Sequence, residues 1–450
     1  MCCFLYAADY TNWMSDLVMT SNAESRLESD SMRLVRLHAD EPDACVRLSL
    51  ETTRILNAPV YEALSYTWGD EGSTRFVSID GQKVNIRTNL HMALTAIREA
   101  KGSAVLWVDA LCISQDDLEE KSSQVQMIGR IFRGARQVLA WLGPPTDDIH
   151  ALFLSASILP TDTFILEATL DDIRRAHDLQ SRLPWEKLEA LRPALLSIHA
   201  RKYWTRSWIV QECMLARRVE FLCGIHEVSW HQLYSIHALI RETVQLAPNR
   251  GRAGRRLTPI VYTGGYIDGP DSLEITFFDQ IAAQKAFLNG RRRNLGLTLR
   301  YFGFNTECLD PRDKIFAFME LILEAEEDHP ARISVDYSIP TPLLYFRAAH
   351  GLLSNAKSEF GHIRDIDTIR QLLKLGTAEV EEAIAARIDL QDLLSPISFI
   401  SGGAGGELNP YPLRGQPGRR YNYYEVLAAD FELLATGKRG AQSRRTIAMS

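Results

Sequence analysis

Residues 104–143, AVLWVDALCISQDDLEEKSSQVQMIGRIFRGARQVLAWLG, decide the predicted fold. The stretch begins with a continuous apolar run, 104–109, of the kind found in a parallel strand covered on both faces. Its middle, 118–135, has apolar residues at helical spacing: Val125, Ile128, Phe132 and Ala135. A second short apolar run, 137–143, is stopped by Gly143-Pro144-Pro145. Strand, helix and strand in this order predict a parallel α/β unit with a right-handed crossover.

The flanking sequence extends this pattern toward the amino terminus. Residues 60–68, VYEALSYTW, are β-branched and aromatic and end at the turn signal Gly69-Asp70. Residues 76–86 predict a hairpin around Asp80-Gly81. Asn89 is a suitable cap for a helix over 90–101. A strand, a hairpin and a helix are therefore expected before residue 104.

The pattern continues downstream after a long insertion. Residues 203–217 place Trp204, Trp208 and Leu215 at helical spacing, and residues 219–223, VEFLC, are strand-like. The predicted fold class is thus α/β: a parallel sheet flanked by helices, with an added hairpin and a mainly helical carboxyl-terminal region. All eight tryptophans lie in the first 230 positions, which separates an aromatic-rich domain from the rest of the chain. The predicted segments are a tail at 1–30, the α/β domain at 31–240, a basic loop and helical connection at 241–300, a helical region at 301–435 and a disordered tail at 436–450.

Charge and hydropathy narrow the class of protein. A net charge of −7 argues against broad nucleic-acid binding, which relies on a surplus of Lys and Arg. The basic runs 250–256 and 291–293 leave open a local contact with nucleic acid, but a solvated loop and a charged helix face explain them more simply. No apolar run approaches the roughly 18–20 residues of a membrane span. Without a basic region ahead of a long apolar stretch, the start MCCFLYAADY is unlike a secretory signal, so we expect a cytoplasmic protein.

Cysteines and histidines do not predict a metal site. The seven cysteines are an odd number and include no CxxC pair. Cys223 and His226 have a ligand-like spacing with His231 nearby, but no second cysteine pair completes a zinc site. We therefore expect reduced thiols and no bound metal.

The ends of three predicted strands are the first candidate site. They finish at Trp68-Gly69-Asp70, at Asp109 and at Trp141-Leu142-Gly143. In open α/β sheets, ligands bind beyond the carboxyl ends of parallel strands, so these ends are expected to border one crevice. The alternative is that Gly69 and Gly143 turn the chain and Asp109 caps the turn after it.

The stretch 206–212, RSWIVQE, is the second candidate. On a helix, Trp208 and Glu212 are four residues apart and share a face. A carboxylate beside large apolar rings is partly desolvated, which raises its pKa and suits it to acid/base work or to stabilising a cation. Arg201 or Arg206 would instead neutralise Glu212 in a structural ion pair, and spacing alone favours that alternative. Phosphate loops, nucleophile elbows and HExxH motifs are missing from the sequence.

Several blocks together resemble the fungal heterokaryon incompatibility (HET) domain. The opening block is YEALSYTWGD at 61–70, the central block covers 106–143, and the third is RKYWTRSWIVQE at 201–212. CLDPRDKIFAFMEL at 308–321 and VDYS at 335–338 resemble a stretch that often follows the domain. Ser114 and Lys121 depart from the family's usual Asn and Arg.

The resemblance implies a function that the residue patterns do not. HET domains trigger programmed death after incompatible fungal strains fuse, and they are often joined to partner-sensing modules such as nucleotide-binding receptors with repeats. They also resemble TIR domains, which have a flavodoxin-like fold, so the resemblance implies a TIR/flavodoxin-like parallel sheet. Some TIR domains cleave NAD with a helix glutamate. On this analogy Glu212 is the catalytic candidate, and Trp68, Gly69, Asp109 and Trp208 border the substrate pocket.

Two functions follow as hypotheses. In the first, the protein is a death effector that hydrolyses NAD, which is a substrate here and not a cofactor; no cofactor is expected. In the second, the domain is a non-enzymatic adaptor that self-associates and recruits other HET or receptor-type proteins, and Glu212 only orients a helix.

Overall fold

The structure is a computed structural model that describes residues 27–39, 45–159, 183–245, 281, 295–322, 333–354, 368–376 and 379. The predicted tails at 1–30 and 436–450, the basic runs and much of the carboxyl-terminal region lie mostly or wholly outside these residues. The described chain belongs to two compact units. The first takes its described residues from 1–293 together with 301–322 and 334–338, and the second from 294–300, 333, 339–354 and 368–379.

One mixed sheet is the framework of the first unit. The described residues contribute these strands to it: β1 Ser31–Leu37, β2 Arg47–Arg54, β3 Glu62–Tyr66, β4 Thr74–Ile79, β5 Gln82–Arg87, β6 Ala104–Trp107, β7 Val138–Trp141, β8 Val219–Cys223 and β9 His226–Ser229. Their order is β5-β4-β2-β1-β6-β3-β7-β8-β9. The predicted α/β class is confirmed, since helices flank a sheet with a parallel core.

The parallel core explains where a ligand site belongs. β3 pairs in parallel with β6 on one side and with β7 on the other, and β7 pairs in parallel with β8. In chain order this core reads second, first, third, fourth, which is the order of flavodoxin-like folds. After β3 the chain forms β6 on one side of it and then β7 on the other side. The point at which the strand order reverses therefore lies between the carboxyl ends of β3 and β7.

Helices flank the sheet of the first unit, and others belong to the second unit. The described helices are α1 Thr88–Lys101, α2 Asp109–Cys112, α3 Leu118–Gly134, α4 Asp147–Ser157, α5 Trp185–Ala190, α6 Arg192–His199, α7 Trp208–Leu215, α8 Trp230–Gln245, α9 Leu295–Thr298, α10 Asp313–Phe316 and α11 Thr341–Ser354. Short 3-10 turns lie at Ile55–Asn57, Lys202–Thr205 and Met319–Leu321, and a π-helical turn at Leu299–Gly303. No described helix has the length and apolar character needed to cross a bilayer.

α3 shows how the central predicted helix is made. Asp117 caps it, because its carboxylate accepts from the backbone amides of Glu119 and Glu120 at 3.0 Å each. Its apolar face packs on the sheet, where the Phe132 ring meets Trp107 edge-on at 5.5 Å. The predicted helix over 118–135 is therefore confirmed to within a residue.

The predicted hairpin is confirmed with its turn. β4 and β5 pair antiparallel on either side of Asp80-Gly81, and both turn residues have positive φ, 49° and 81°. Two positive φ values in a two-residue loop are the signature of the type I′ turn, which matches the twist of the strands.

Two local predictions were wrong for reasons of tertiary structure. Asn89 does not cap α1, which begins at Thr88 after Arg87; its side-chain amide bonds to Thr67 and Trp141 instead. The predicted helix over 203–217 is interrupted, because Arg206 is extended (φ −72°, ψ 134°) and forms a parallel bridge with Glu307. Helix α7 therefore starts after this bridge.

Candidate functional site

Glu212 contacts β3, one of the two inner strands of the parallel core. It is 5% exposed on α7. Its Oε2 accepts a hydrogen bond from the Ser65 hydroxyl of β3, and that hydroxyl lies 2.8 Å from the Tyr203 hydroxyl. The Arg206 guanidinium donates to both carboxylate oxygens at 3.2 Å each. The carboxylate is thus held by the sheet from one side and by a bidentate arginine from the other.

The environment of Glu212 works in two directions on its pKa. Burial raises the pKa and is the largest influence, and the nearby charge of Asp109 raises it further. Arg206 and Ser65 oppose both, because each stabilises the ionised form. The result is a carboxyl group whose pKa stands above its ordinary value while it remains paired to a cation.

Asp109 brings a second carboxylate to the same place. It lies two residues after the end of β6, at the start of α2, and is partly exposed. Its Oδ2 accepts from the Trp68 indole nitrogen at 2.8 Å, and its Oδ1 accepts from the Ala110 amide at 2.7 Å. Its charge also acts on Arg206. We call Ser65, Trp68, Asp109, Arg206 and Glu212 the polar cluster.

The turn after β3 requires glycine. Gly69 has a φ of +77°, and a Cβ there would lie 3.1 Å from the Asn89 Cβ. Its carbonyl accepts from Arg87 Nη1 at 3.0 Å, and the same guanidinium lies over the Trp68 ring at 5.1 Å. The turn is exposed and stands next to the polar cluster, at the edge where parallel strands place ligands.

Asn89 joins the two strand ends that form the switch point. Its Nδ2 donates to the Thr67 hydroxyl at 3.0 Å and also to the Thr67 carbonyl, beyond β3. Its Oδ1 accepts from the Trp141 indole at 3.0 Å, at the end of β7. Sequence reasoning missed this role because an asparagine before an amphipathic stretch ordinarily indicates a cap.

Arg201 braces the turn after β7 and does not neutralise Glu212. It donates to the carbonyls of Leu142 and Pro144 at 2.5 and 2.9 Å. Gly143 makes this approach possible: its φ is +104°, and a Cβ would lie 2.7 Å from Arg201 Nη1. Of the two arginines weighed as partners for Glu212, the structure selects Arg206.

Trp208 is directed to a different partner from the other candidates. Its indole nitrogen donates to Asp313 Oδ2 at 3.3 Å, and Asp313 Oδ1 accepts from the Tyr337 hydroxyl at 2.6 Å. Burial raises the pKa of Asp313 to about 6. The structure therefore brings together Trp68, Asp109 and Glu212, places Gly69 beside them, and turns the polar edge of Trp208 toward residue 313.

Three further members of the site gave no sufficient signal in the sequence. Ser65 lies in the middle of a strand, where alternation shows only that one face is buried. Tyr203 is separated from Glu212 by a turn, and Asp313 is distant from Glu212 in the sequence. No catalytic motif includes either residue. The block resemblance was the signal that pointed to this region as a whole.

Cys112 and Cys223 are buried thiols, and His226 is paired with another histidine. Burial raises the pKa of Cys112 to about 12 and of Cys223 to about 11, so both thiols stay protonated near neutrality. His226 pairs with His150, with ring nitrogens 2.6 Å apart. Within the described ranges, no group of three or more His, Cys, Asp or Glu side chains is arranged to hold a metal ion.

Comparison with known families shows what part of this architecture is similar to. Residues 61–212, from the start of β3 to the glutamate of the polar cluster, match the model described as heterokaryon incompatibility protein (HET). Over these residues the chain is similar to HET domains. The matched region contains three strands of the parallel core, β3, β6 and β7, and the first residues of α7. It ends at Glu212, the catalytic candidate.

A curated relative extends the similarity beyond the HET domain. The chain is 28% identical over 352 residues to heterokaryon incompatibility protein 6, OR allele, of Neurospora crassa. The alignment covers 70% of this chain and 50% of the relative, so the chain spans about half the length of the relative it matches. No solved structure shows a significant match to the chain.

Proposed function

We propose that this chain acts in fungal heterokaryon incompatibility and that its HET domain triggers programmed cell death. The matched HET domain and the similarity to the Neurospora incompatibility protein support this role. Other HET or receptor-type incompatibility proteins, or a second copy of this chain, are the proposed partners. The cytoplasm, where fused cells mix their contents, is the proposed location.

The proposed chemistry is hydrolysis of NAD at the polar cluster. The observation that supports it is the meeting of two carboxylates, Asp109 and Glu212, with one arginine at the carboxyl ends of β6 and β3. Ligands of open α/β sheets bind at this edge. A positively charged nicotinamide ring and a ribosyl cation forming beneath it are matched by a pair of anions in a largely buried setting.

The reaction breaks the bond between the nicotinamide nitrogen and the ribose carbon. Nicotinamide leaves with the bonding electron pair, water adds to the ribose carbon, and the added water loses one proton. Glu212 stabilises the positive charge that develops on the ribosyl group, and Asp109 and the Gly69 turn border the ribose and the phosphates. Electrostatic stabilisation by groups held in place before the reaction is the main contribution to rate.

Arg206 has a defined part in this scheme. In the described state it occupies both oxygens of Glu212. Substrate binding therefore displaces the guanidinium from at least one oxygen, and a phosphate is a suitable new partner because its oxygens match the bidentate geometry of arginine. Until then, the ion pair favours the ionised form of the carboxylate.

Release of nicotinamide by the purified full chain tests the proposal. Glu212→Gln keeps the shape of the side chain and removes its charge, so we expect the rate to fall on the order of 100-fold or more. Glu220→Gln is the matched control, since Glu220 is also largely buried (7% exposed) and its pKa is also raised by burial, but it lies on β8 paired with Arg218. Equal rates for the wild type and Glu212→Gln would remove this mechanism.

One observation favours the adaptor as a second candidate. Glu212 is buried and fully paired, and an ion pair of this kind also serves to fasten α7 to β3 without any catalysis. Expression in yeast separates the two functions. The enzyme depletes cellular NAD and loses toxicity with Glu212→Gln, whereas the adaptor remains toxic at normal NAD levels.

A further inference from the structure

The segment at residues 303–314 contacts the polar cluster from outside the matched HET region. It lies about 90 residues beyond Glu212 in the sequence but belongs to the same compact unit. We call it the downstream segment. Its contacts are concentrated on the chain that carries Arg206.

The backbone on both sides of Arg206 is fixed by the downstream segment. The Ser207 amide donates to the Glu307 carbonyl at 3.0 Å, and the Glu307 amide donates to the Thr205 carbonyl. These two bonds form the parallel bridge between Arg206 and Glu307. At this bridge Arg206 is extended and not helical. Its side chain therefore lies against α7, the next helix, where it pairs with Glu212.

Side chains reinforce the bridge. The Ser207 hydroxyl donates to Thr306 Oγ1 at 2.9 Å, and Ser207 is fully buried. Lys314, 7% exposed, places its ammonium on the carbonyls of Gly303 and Thr306 and so holds the loop closed. A buried ammonium satisfied by carbonyl oxygens is costly to rearrange, which makes the loop a rigid support.

We propose that the downstream segment positions Arg206 on Glu212, so that Ser207 and Thr306 are positioning residues of the polar cluster although the segment lies outside the matched family region. The inference rests on the proposed function only for its effect on catalysis. The geometric part concerns the pairing of Arg206 with Glu212 and is testable without any turnover.

The first test reads the protonation of Glu212 by infrared spectroscopy. In the full chain, the carbonyl band of the protonated carboxyl is followed against pH, with Glu212→Gln subtracted to assign it. Loosening Arg206 removes the influence that keeps Glu212 ionised, so Ser207→Ala and Thr306→Val are expected to move its titration upward, on the order of one pH unit. Thr306→Ser retains the hydroxyl and is expected to restore the wild-type titration.

Ser122→Ala is the matched control. The Ser122 hydroxyl accepts from the Tyr337 amide at 2.9 Å, so this variant loses a serine contact between α3 and the chain beyond the downstream segment. It is expected to leave the titration of Glu212 in place. A shift in Ser207→Ala and Thr306→Val no larger than that in Ser122→Ala would overturn the proposal.

Turnover supplies the second test. If the chain cleaves NAD, Ser207→Ala and Thr306→Val are expected to lower kcat/KM, because in the proposed scheme Arg206 both pairs with Glu212 and binds a phosphate of the substrate. Absence of cleavage by the wild type would refute the proposed chemistry alone. The infrared titration would still decide whether the downstream segment positions Arg206.

Discussion

The two Nη atoms of Arg206 lie 3.2 Å from the two carboxylate oxygens of Glu212, six residues along the chain. The side chains are 17% and 7% exposed, so the pair is largely removed from water. Arg206 is extended and Glu212 is helical, and the bridge between Arg206 and Glu307 lies directly before α7. The same ion pair is therefore expected to affect both the stability of the fold and the proposed chemistry.

Removing the arginine is expected to destabilise the fold. Arg206→Ala leaves the Glu212 carboxylate buried without a counter-ion, and breaking a buried pair costs about 3–5 kcal/mol. Urea denaturation of the full chain measures the loss in the free energy of unfolding. The control is Arg36→Ala, which removes an exposed pair with Glu51 and is expected to leave the midpoint unchanged. Equal midpoints for the two variants would contradict the role of the pair.

Asp313 is expected to make stability depend on pH. Burial raises its pKa from 3.8 to about 6, so the folded state binds the proton more tightly than the unfolded state does. The stabilisation is complete below pH 3.8 and is lost as the pH rises through about 6. The full shift corresponds to about 3 kcal/mol, and because the side chain keeps some contact with solvent we expect roughly 1–2 kcal/mol.

Asp313→Asn tests that dependence. Its free energy of unfolding, measured at intervals from about pH 4 to about pH 7, is expected to lack the decline attributed to Asp313. The difference between wild type and variant is the relevant quantity, since other carboxyl groups titrate in both proteins. Parallel curves over this range would show that Asp313 is not the group responsible.

The turn after β3 is expected to reject a side chain. Gly69→Ala puts an L-residue at a φ of +77° and brings its Cβ 3.1 Å from that of Asn89. The left-handed conformation alone costs about 1–2 kcal/mol. Gly72→Ala is the control, because a Cβ there meets nothing within 4 Å. Thermal denaturation of both variants makes the comparison, and equal melting temperatures would refute the requirement for glycine at 69.

Asn89 is expected to contribute more to the free energy of unfolding than a helix cap would. Asn89→Ala removes the partner of the Trp141 indole and of the Thr67 carbonyl at once. An unsatisfied buried group costs about 1–3 kcal/mol, so we expect a loss in this range. Asn89→Asp keeps the acceptor for Trp141 and loses the donor to Thr67. A cap would tolerate this change, so full stability of Asn89→Asp would argue against the link between β3 and β7.

Much of the fold was open to prediction because it depends on local patterns. The apolar runs of β6, β7 and β8 indicated buried strands, the spacing in α3 indicated a helix, and Asp80-Gly81 indicated the hairpin turn. β1 and β2 were not predicted. β1 carries a buried Arg33, whose guanidinium pairs with Glu120 of α3. Sequence periodicity does not show a pairing between two residues so far apart in the chain.

The candidate site was predicted in part. The convergence of Trp68 and Asp109 followed from a rule on where parallel strands end, and the structure places their side chains in contact. The partner of Glu212 was not decidable, because Arg201 and Arg206 both stood close in sequence. Trp208 shares α7 with Glu212, yet its indole nitrogen serves Asp313, more than a hundred residues away in the chain.

The sequence alone determined the class of the fold, the strands of its parallel core and the edge at which polar residues gather, since strand and helix periodicities and turn residues act over short distances. Tertiary structure alone decided which arginine holds Glu212, where α7 begins and which side chain joins β3 to β7. Each of these depends on hydrogen bonds between segments far apart in the chain, and their geometry is set when the segments pack and not before.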